Sequence, residues 1–287
     1  MRRDDEGIAP ILAVLLLLGL VVAFMGAWNS TVIPTMKEEA ELIHTGEVED
    51  AFVQFSASVS EISRKMQNGT ASVTVPLGGG ETLFDATRTA GTIRILPNIP
   101  SVQPQLMRID VEDVAVLLPN VTLASVVYQS QNTFWQNQGY GFEYGYVNVT
   151  RENISVPLQY GDMQMLAKSP DIQNRVHTFL TVTPEAVRTV SWRVDEKNIL
   201  ASGNGHAVLS VSSRILPATT VPAGKKITIQ IAPSSSRPDW LVTMMKDQLE
   251  ADLNGTGSWW MNAGDTYTFT LTQDAVLEQM EILFSVR

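Results

Sequence analysis

The chain has 287 residues, no cysteine and a formal net charge of −10 at pH 7. The absence of cysteine excludes disulfides, thiol catalysis and cysteine metal sites, so stability has to come from burial of a core, for which the chain is long enough. No cluster of lysine and arginine occurs, which argues against nucleic acid as a partner.

An uncharged apolar segment follows a short charged leader at the N-terminus. The leader, residues 1–7, ends in Glu6 and Gly7, and the apolar segment, residues 8–28, has 21 residues. As a helix this segment spans about 31 Å, close to the roughly 30 Å of a bilayer's hydrocarbon core. Trp28 lies at its outer end, where an amphipathic ring suits the membrane interface. The pattern predicts a transmembrane helix.

The apolar segment differs from a cleaved secretory signal peptide. The apolar core of such a peptide has about 7–15 residues and ends at a small-residue cleavage site, whereas Ala27-Trp28-Asn29 is a poor site. An uncleaved signal anchor fits the hydropathy equally well. Pro10 suits the first turn of a helix that begins near Ile8, whether or not the residues before Ile8 are removed. Because Arg2 and Arg3 precede the segment, the positive-inside rule predicts a cytoplasmic N-terminus and an external location for the rest of the chain.

The junction between leader and helix resembles a known signal. The residues Asp5-Glu6-Gly7-Ile8-Ala9-Pro10-Ile11-Leu12 are similar to the class III signal of archaeal type IV pilins and archaellins. The resemblance implies that a prepilin peptidase cleaves after Gly7, that Ile8 becomes the N-terminus, and that the retained helix packs in the core of a filament. The residues expected in that core are Ile8, Ile11, Leu12, Leu15, Leu16, Leu18, Val22 and Phe24.

Residues 29–69 are predicted to form a stalk helix above the membrane. The helix is expected to continue with a kink at Pro34, or a fresh helix starts at Asn29, Ser30 or Thr31. Farther on, apolar residues recur at steps of four and three, which is one stripe on a helix, and Asn68-Gly69 is a stop signal. The stripe is expected to pack on the chain's own β domain, with packing on neighbouring subunits as the alternative. Its members are Val48, Phe52, Phe55, Val59, Ile62 and Met66.

Residues 70–287 change to short alternating segments separated by glycine, proline and asparagine at intervals of roughly ten residues, which is typical of a β sandwich or barrel. The fold class is therefore α+β: a long N-terminal transmembrane and stalk helix followed by a mainly antiparallel β-sandwich ectodomain. Two β lobes divided near residues 164–174 are an option. Predicted strands include Val114–Leu118, Val121–Tyr128 and Met163–Leu166, and one helix is predicted near residues 238–250.

Asparagine in N-x-Ser/Thr sequons suggests glycosylation of an exported chain, because the modification needs exposed loops outside the cytoplasm. A sixth sequon, at Asn29, lies too close to the membrane to be a good acceptor. The candidates are Asn68, Asn120, Asn148, Asn153 and Asn254.

No catalytic or cofactor motif occurs in the sequence. His44, His177 and His206 lie far apart, and there is no HExxH, G-x-S-x-G or Walker sequence. Residues 78–80 are three glycines after a predicted strand, but no helix pattern opens after them, so a loop is favoured over a phosphate cradle. The acidic residues 110–113 lack the regular spacing of calcium ligands. We therefore expect no metal, no cofactor and no enzymatic activity.

Two aromatic clusters could serve recognition. Exposed rings near Asn and Gln stack on sugars or anchor subunit contacts, although packing in the core of a β hairpin is the favoured explanation. The candidate ligand or subunit contacts are Trp135, Tyr140, Phe142, Tyr144, Trp259 and Trp260.

Together these patterns predict a structural subunit of an archaeal type IV pilus-like extracellular filament, inserted in the cytoplasmic membrane before assembly. Its expected partners are the membrane, a prepilin peptidase and other copies of itself or of related subunits, with a surface glycan as a further candidate. The alternative is a non-polymerising membrane-anchored surface protein used for adhesion or as an envelope scaffold. A tethered hydrolase or sugar-active enzyme is a third hypothesis, and it would need a catalytic pair of carboxylates.

Overall fold

The structure is a computed structural model. It describes residues 5–82, 88–97, 105–143, 145–151, 154–158, 180–231, 239–256 and 259–287.

The N-terminal part is one continuous helical rod. It consists of α1 (Asp5–Ala27), a π-helical turn (Trp28–Val32) and α2 (Ile33–Lys65), which together extend over about 90 Å. The π turn follows from Pro34, which has no N–H to offer to the carbonyl of residue 30. The N–H of Ile33 instead bonds to the carbonyl of Trp28, five residues back. Helical hydrogen bonding therefore continues up to the proline, and α2 carries the rod on beyond it.

The rod ends slightly before the predicted stop at Asn68-Gly69. Met66 has a left-handed backbone with φ of 45°, and its N–H bonds to the carbonyl of Ser63 at 3.4 Å. A non-glycine residue in this region is uncommon, and here it closes the helix so that the chain enters the first strand at Gly69. From Gly69 onward the chain forms the head, which is the β-rich part of the molecule.

The described strands of the head form three sheets. In sheet 1 every pair is antiparallel except β10–β17, which is parallel. Sheet 1 has the order β1 (Gly69–Pro76), β12 (His206–Ile215), β17 (Ala275–Val286), β10 (Ala186–Val194) and β9 (Leu180–Val182), and β13 (Thr219–Val221) also pairs with β17.

Sheets 2 and 3 are antiparallel throughout. Sheet 2 has the order β11 (Leu200–Gly203), β2 (Ala90–Pro97), β5 (Ala124–Gln131), β6 (Gln138–Glu143), β7 (Tyr146–Arg151) and β8 (Ile154–Pro157). Sheet 3 has the order β15 (Trp259–Ala263), β16 (Thr266–Thr270), β14 (Lys226–Ile231), β3 (Gln105–Val111) and β4 (Asn120–Thr122). The helix α3 (Asp239–Thr256) lies between β14 and β15 in the chain.

The α+β class with a β-sandwich head is confirmed, but a division into two successive lobes is not what the sheets form. Every sheet joins a strand from before residues 164–174 to one from after them: β1 to β12, β2 to β11, and β3 to β14. Residues 164–174 themselves lie outside the described residues.

Three of the predicted strands need comment. Val114–Leu118 is not a strand: only an isolated bridge joins Val114 to Val111. Val121–Tyr128 is two strands, because the chain leaves the ladder at Leu123 and passes from β4 in sheet 3 to β5 in sheet 2. Both halves are apolar, so their sequence gives no sign of the break. The predicted strand Met163–Leu166 lies outside the described residues.

The core lies where α2 meets sheets 1 and 2. Phe55 of α2 contacts Phe142 of β6 edge-on, with ring centroids 5.3 Å apart. Phe142 stacks on Trp192 of β10 at 5.3 Å, and Trp192 lies 5.3 Å from Phe284 of β17. Such pairs contribute about 0.5–1.5 kcal/mol each beyond the burial of their area. The part of the rod that α2 forms, which we call the upper rod, is therefore an integral part of the head.

Polar contacts join sheet 3 to sheet 1. The buried amide of Gln279 on β17 bonds to both backbone groups of Leu118, at 2.7 and 3.1 Å. The hydroxyl of Thr122 on β4 donates to the carbonyl of Trp192 at 2.8 Å. Because buried polar groups are costly when unpaired, these bonds fix how β4 and the loop before it lie on sheet 1.

Candidate functional site: the exposed rod and its junction with the head

The part of the rod that α1 forms, which we call the lower rod, is an apolar helix without cover from the described rest of its chain. Leu16 is 75% exposed, and the whole span from residue 11 to residue 27 is exposed. Within the described part of the chain, one helix is long and apolar enough to cross a membrane, and this is the region that makes it so. Gly7 and Ile8 lie in α1, and the side chain of Ile8 is outside the description. The expected filament-core residues with described side chains are all exposed: Ile11, Leu12, Leu15, Leu16, Leu18, Val22 and Phe24.

The upper rod has the opposite character on one face. The predicted stripe faces the head, where four of its members are fully buried and Ile62 and Met66 are half-buried against the same core. These side chains pack on the chain's own β domain, so they are not available to a neighbouring subunit. The four fully buried members are Val48, Phe52, Phe55 and Val59.

Toward the N-terminal end of α2, polar residues form the face that is buried against the head. Lys37, Glu41 and His44 precede Val48 at steps of four, three and four, the same spacing as the apolar stripe, and all three are at most 5% exposed. The sequence reasoning missed them because they are charged or polar. The spacing was the available signal. We call this region, where the rod leaves the head, the neck.

Glu41 is the central residue of the neck. Its carboxylate accepts backbone N–H bonds from Thr133, Phe134 and Trp135 at 3.1, 2.9 and 2.6 Å. Three consecutive N–H groups around one carboxylate form an anion-binding arrangement, and hydrogen bonds to a charged acceptor are stronger than neutral ones. The ammonium group of Lys37 lies 5.9 Å from the centroid of the Phe134 ring. The turn between β5 and β6 is thereby held against the rod.

The glycine run at residues 78–80 passes over the same part of α2. A Cβ on Gly79 would lie 2.4 Å from the Cβ of His44, which is closer than real carbon atoms approach. Gly80 has φ of +84°, and a Cβ there would lie 3.1 Å from the Cγ of Glu41. The run is thus a loop that needs glycine in order to contact the helix.

His44 is enclosed under that loop. Its Nε2 lies 3.2 Å from the carbonyl of Pro76 and donates to it, while Nδ1 is buried with no partner among the described residues. Burial lowers the pKa of His44, against the opposing effects of the Pro76 carbonyl and the nearby Glu47. His44 is therefore neutral at pH 7. No group of three metal-binding side chains occurs among the residues that the structure describes, and His177 lies outside them.

A second polar contact joins the rod to sheet 2. The hydroxyl of Tyr140 donates to Glu49 at 3.1 Å and accepts a bond from Gln138 at 2.6 Å. Gln138 in turn accepts a bond from Arg151 at 3.0 Å. Burial, and secondarily Glu49, raises the pKa of Tyr140, so the hydroxyl keeps its proton and remains a donor.

The aromatic residues predicted as ligand contacts divide into two groups. Tyr140 and Phe142 are at most 1% exposed, so the favoured explanation, packing in the core, holds for them and they do not contact a ligand: alternation along β6 directs both rings into the core. Trp135 is half-buried in the turn between β5 and β6. Trp260 is half-buried against the core and donates from Nε1 to Asn254 at 3.2 Å. Tyr144 and the side chain of Trp259 are outside the described part.

In two exposed sequons the side-chain amide nitrogen has no partner among the described residues. The side-chain oxygen of Asn68 accepts the N–H of Ile215 at 2.7 Å, and that of Asn254 accepts Nε1–H of Trp260. Since both partners can only donate, the oxygen faces them and the nitrogen, which is the atom that carries a glycan, points away. Asn120 has a buried side-chain oxygen, Asn148 is half-buried within β7, and Asn153 lies outside the described residues.

Comparison with known proteins adds no family to this geometry. No family model matches the chain, and neither a curated protein nor a solved structure matches it. A function therefore has to be argued from the rod and the neck themselves.

Proposed function

We propose that the chain is a structural subunit of an extracellular filament of the type IV pilin kind. Residues 8–28 hold it in the cytoplasmic membrane with the N-terminus inside and the head outside. A prepilin peptidase removes residues 1–7 by cleavage after Gly7. The retained apolar helix then leaves the lipid and packs against the same helix of other copies, with the head on the filament surface.

The observation that carries the proposal is the contrast between the two halves of the rod. One face of the upper half is buried in the head, whereas the lower half is apolar and exposed throughout the described residues 11–27. Full burial of a large apolar side chain is worth about 1.5–3 kcal/mol, so such a surface is incompatible with water. Lipid before assembly and neighbouring helices afterwards are the two environments that remove it from water.

The neck supports a role in which position has to be transmitted. Glu41 and Tyr140 join the rod to sheet 2 through charge-assisted hydrogen bonds, in addition to the packing of the apolar stripe. A head attached in this way cannot rotate freely about the rod. In a filament, packing of the rods then fixes where every head lies.

A non-polymerising membrane-anchored surface protein is the second candidate. The head covers its own core and needs no neighbour for that purpose, which suits a monomer in a membrane. Such a protein would retain its leader and stay in detergent-soluble form as a single copy.

Mass spectrometry of the native N-terminus, together with electron microscopy of sheared surface filaments, separates the two candidates. For a filament subunit we expect the chain in the filaments to begin at Ile8. Gly7→Leu should block cleavage, leave the chain in the membrane beginning at Met1, and abolish filaments, whereas the conservative leader variant Arg3→Lys should change nothing. A wild-type chain that begins at Met1 and is extracted only as a monomer would contradict the filament proposal.

A further inference from the structure

An apolar patch lies on the side of α2 that faces away from the head. Leu42 and Ile43 are 47% and 59% exposed there, although they lie well beyond the membrane segment. Gly46, one turn farther on, has no described atom within 4 Å of where its Cβ would be. Glycine within a helix costs about 1 kcal/mol relative to alanine, and nothing in the described chain requires it at this position. A missing side chain lets a second surface approach the helix closely.

Carboxylates surround this patch. Glu38 lies four residues before Leu42, and Glu39 and Glu47 lie four residues on either side of Ile43, so each carboxylate neighbours one of the two apolar side chains on the helix surface. All three are exposed. We call these residues, from Glu38 to Glu47 on the outer face, the helix patch: two apolar side chains within an acidic rim.

A surface of opposite character lies on sheet 2. Along β2, Ile93 and Ile95 face inward, while Arg94 and Leu96 face outward; Leu96 is 39% exposed. Leu200 on the edge strand β11 is 53% exposed and pairs directly with Arg94. Residues of one strand face are about 7 Å apart and paired residues about 5 Å, so the three side chains are adjacent. We call them the sheet patch.

Arg94 has no partner for its charge in the described structure. None of the ion pairs or side-chain hydrogen bonds among the described residues includes its guanidinium group. Another arginine next to exposed apolar residues, Arg151 opposite Ile154, already donates to Gln138. The sheet patch is thus the one of these two surfaces whose cation is uncommitted.

We propose that the helix patch of one copy of this chain docks on the sheet patch of a second copy. Leu42 and Ile43 contact Leu96 and Leu200 of the second copy. Arg94 of that copy, which lies between its two leucines, faces the acidic rim of the helix patch. The two patches cannot meet within one copy. Tyr128, whose ring lies 6.5 Å from Phe52 of α2, pairs with the inward-facing Ile93, so α2 lies on the inner side of sheet 2.

This contact has a consequence for assembly that deepens the proposed function and rests on it. In the arrangement that we propose, each copy docks on one neighbour through its helix patch and on another through its sheet patch, so the contact is heterologous. A heterologous contact that does not close into a ring generates an open helical array. The patches therefore provide a contact between neighbours outside the membrane, at the level of the heads, separate from packing of the apolar helices.

Cross-linking between copies tests the contact, because the chain contains no cysteine that could interfere. Chains carrying Ile43→Cys and chains carrying Leu200→Cys, with tags of different size, are expressed together and oxidised in native membranes and in filaments. A disulfide needs the two Cα atoms within about 7 Å. We expect at least tenfold more mixed disulfide than with Ile154→Cys, an equally apolar and more exposed position on the opposite edge strand of the same sheet. An equal or smaller yield overturns the proposal.

Charge reversal provides a second measurement. Arg94→Glu and Glu39→Arg should each lower the yield of filaments at least tenfold, and the chain carrying both changes should recover it, while Lys226→Glu on sheet 3 should match the wild type. Filaments that form equally well with Arg94→Glu, without the cross-link, overturn the contact and leave the filament function standing. The cross-link in membranes without any filaments supports the contact and contradicts the filament function.

Discussion

Replacing Glu41 with glutamine tests whether the neck is held by a carboxylate. Its Oε2 accepts the N–H groups of Phe134 and Trp135, and its Oε1 accepts that of Thr133. The amide of glutamine has one acceptor oxygen, so two bonds become neutral and lose about 1 kcal/mol each. The third N–H then faces an NH₂ group, another donor, at a cost of about 1–3 kcal/mol. Easier burial of an uncharged amide offsets part of this sum. We expect a net loss of about 2–3 kcal/mol.

The assay is equilibrium unfolding of the detergent-solubilised full chain, followed by tryptophan fluorescence, together with hydrogen exchange of the amides at residues 133–135. Glu38→Gln is the matched control, because Glu38 is exposed on the same helix and its change should stay within about 0.5 kcal/mol of the wild type. The reasoning is refuted if Glu41→Gln is as stable as this control and the three amides exchange no faster.

Four further predictions concern other parts of the chain. Leu16→Arg should disfavour membrane insertion by about 3 kcal/mol, which the membrane-bound fraction of the chain measures. Gly79→Ala should destabilise the head by about 1–3 kcal/mol, measured by unfolding, because its Cβ collides with His44. Burial lowers the pKa of His44, so the unfolded chain binds that proton more readily than the folded chain. The free energy of unfolding should therefore fall as the pH drops below about 6.5. His44→Gln should make this fall smaller, as measured by the melting temperature at each pH. Mass spectrometry of the native protein should find glycan at Asn68 and none at Asn120.

Each of these predictions has a control in the chain. Glu39→Gln, outside the apolar segment, should insert as the wild type does. Gly205→Ala should be tolerated, because nothing in the described structure lies within 4 Å of its Cβ. Gln54 is exposed on the same helix and carries no titratable group, so Gln54→Ala should leave the pH dependence unchanged. Full membrane retention of Leu16→Arg, a neutral Gly79→Ala, a pH profile unaffected by His44→Gln, or glycan on Asn120 would contradict the corresponding argument.

The rod was the part most open to prediction, because its signals are local. A length of apolar chain and a stripe with helical spacing are both read directly from neighbouring residues, and Val48 and Phe52 lie where the stripe placed them. The neck shares that spacing and was still missed. A buried Glu41 is stable only because three N–H groups arrive from residues more than ninety positions away, and no local pattern reports that.

The head shows the same limit in another form. Val121–Tyr128 has continuous strand character, but its two halves join different sheets, and the choice depends on partners that come from distant parts of the chain. The aromatic residues of β6 were ambiguous by composition alone. Their alternation with Gly139 and Gly141 was a usable sign that Tyr140 and Phe142 share one face.

The position of β17 in sheet 1 bears on the order of events during synthesis. This strand carries the last described part of the chain, yet it lies between β12 and β10, and Phe284 touches Phe55 near the upper end of the rod. Contacts between such distant segments form slowly, because a very long loop has to close first. The apolar N-terminal helix leaves the ribosome long before sheet 1 of the head can be completed. In the proposed function, early insertion of this helix into lipid shields the nascent polypeptide from aggregation until β17 has been synthesised.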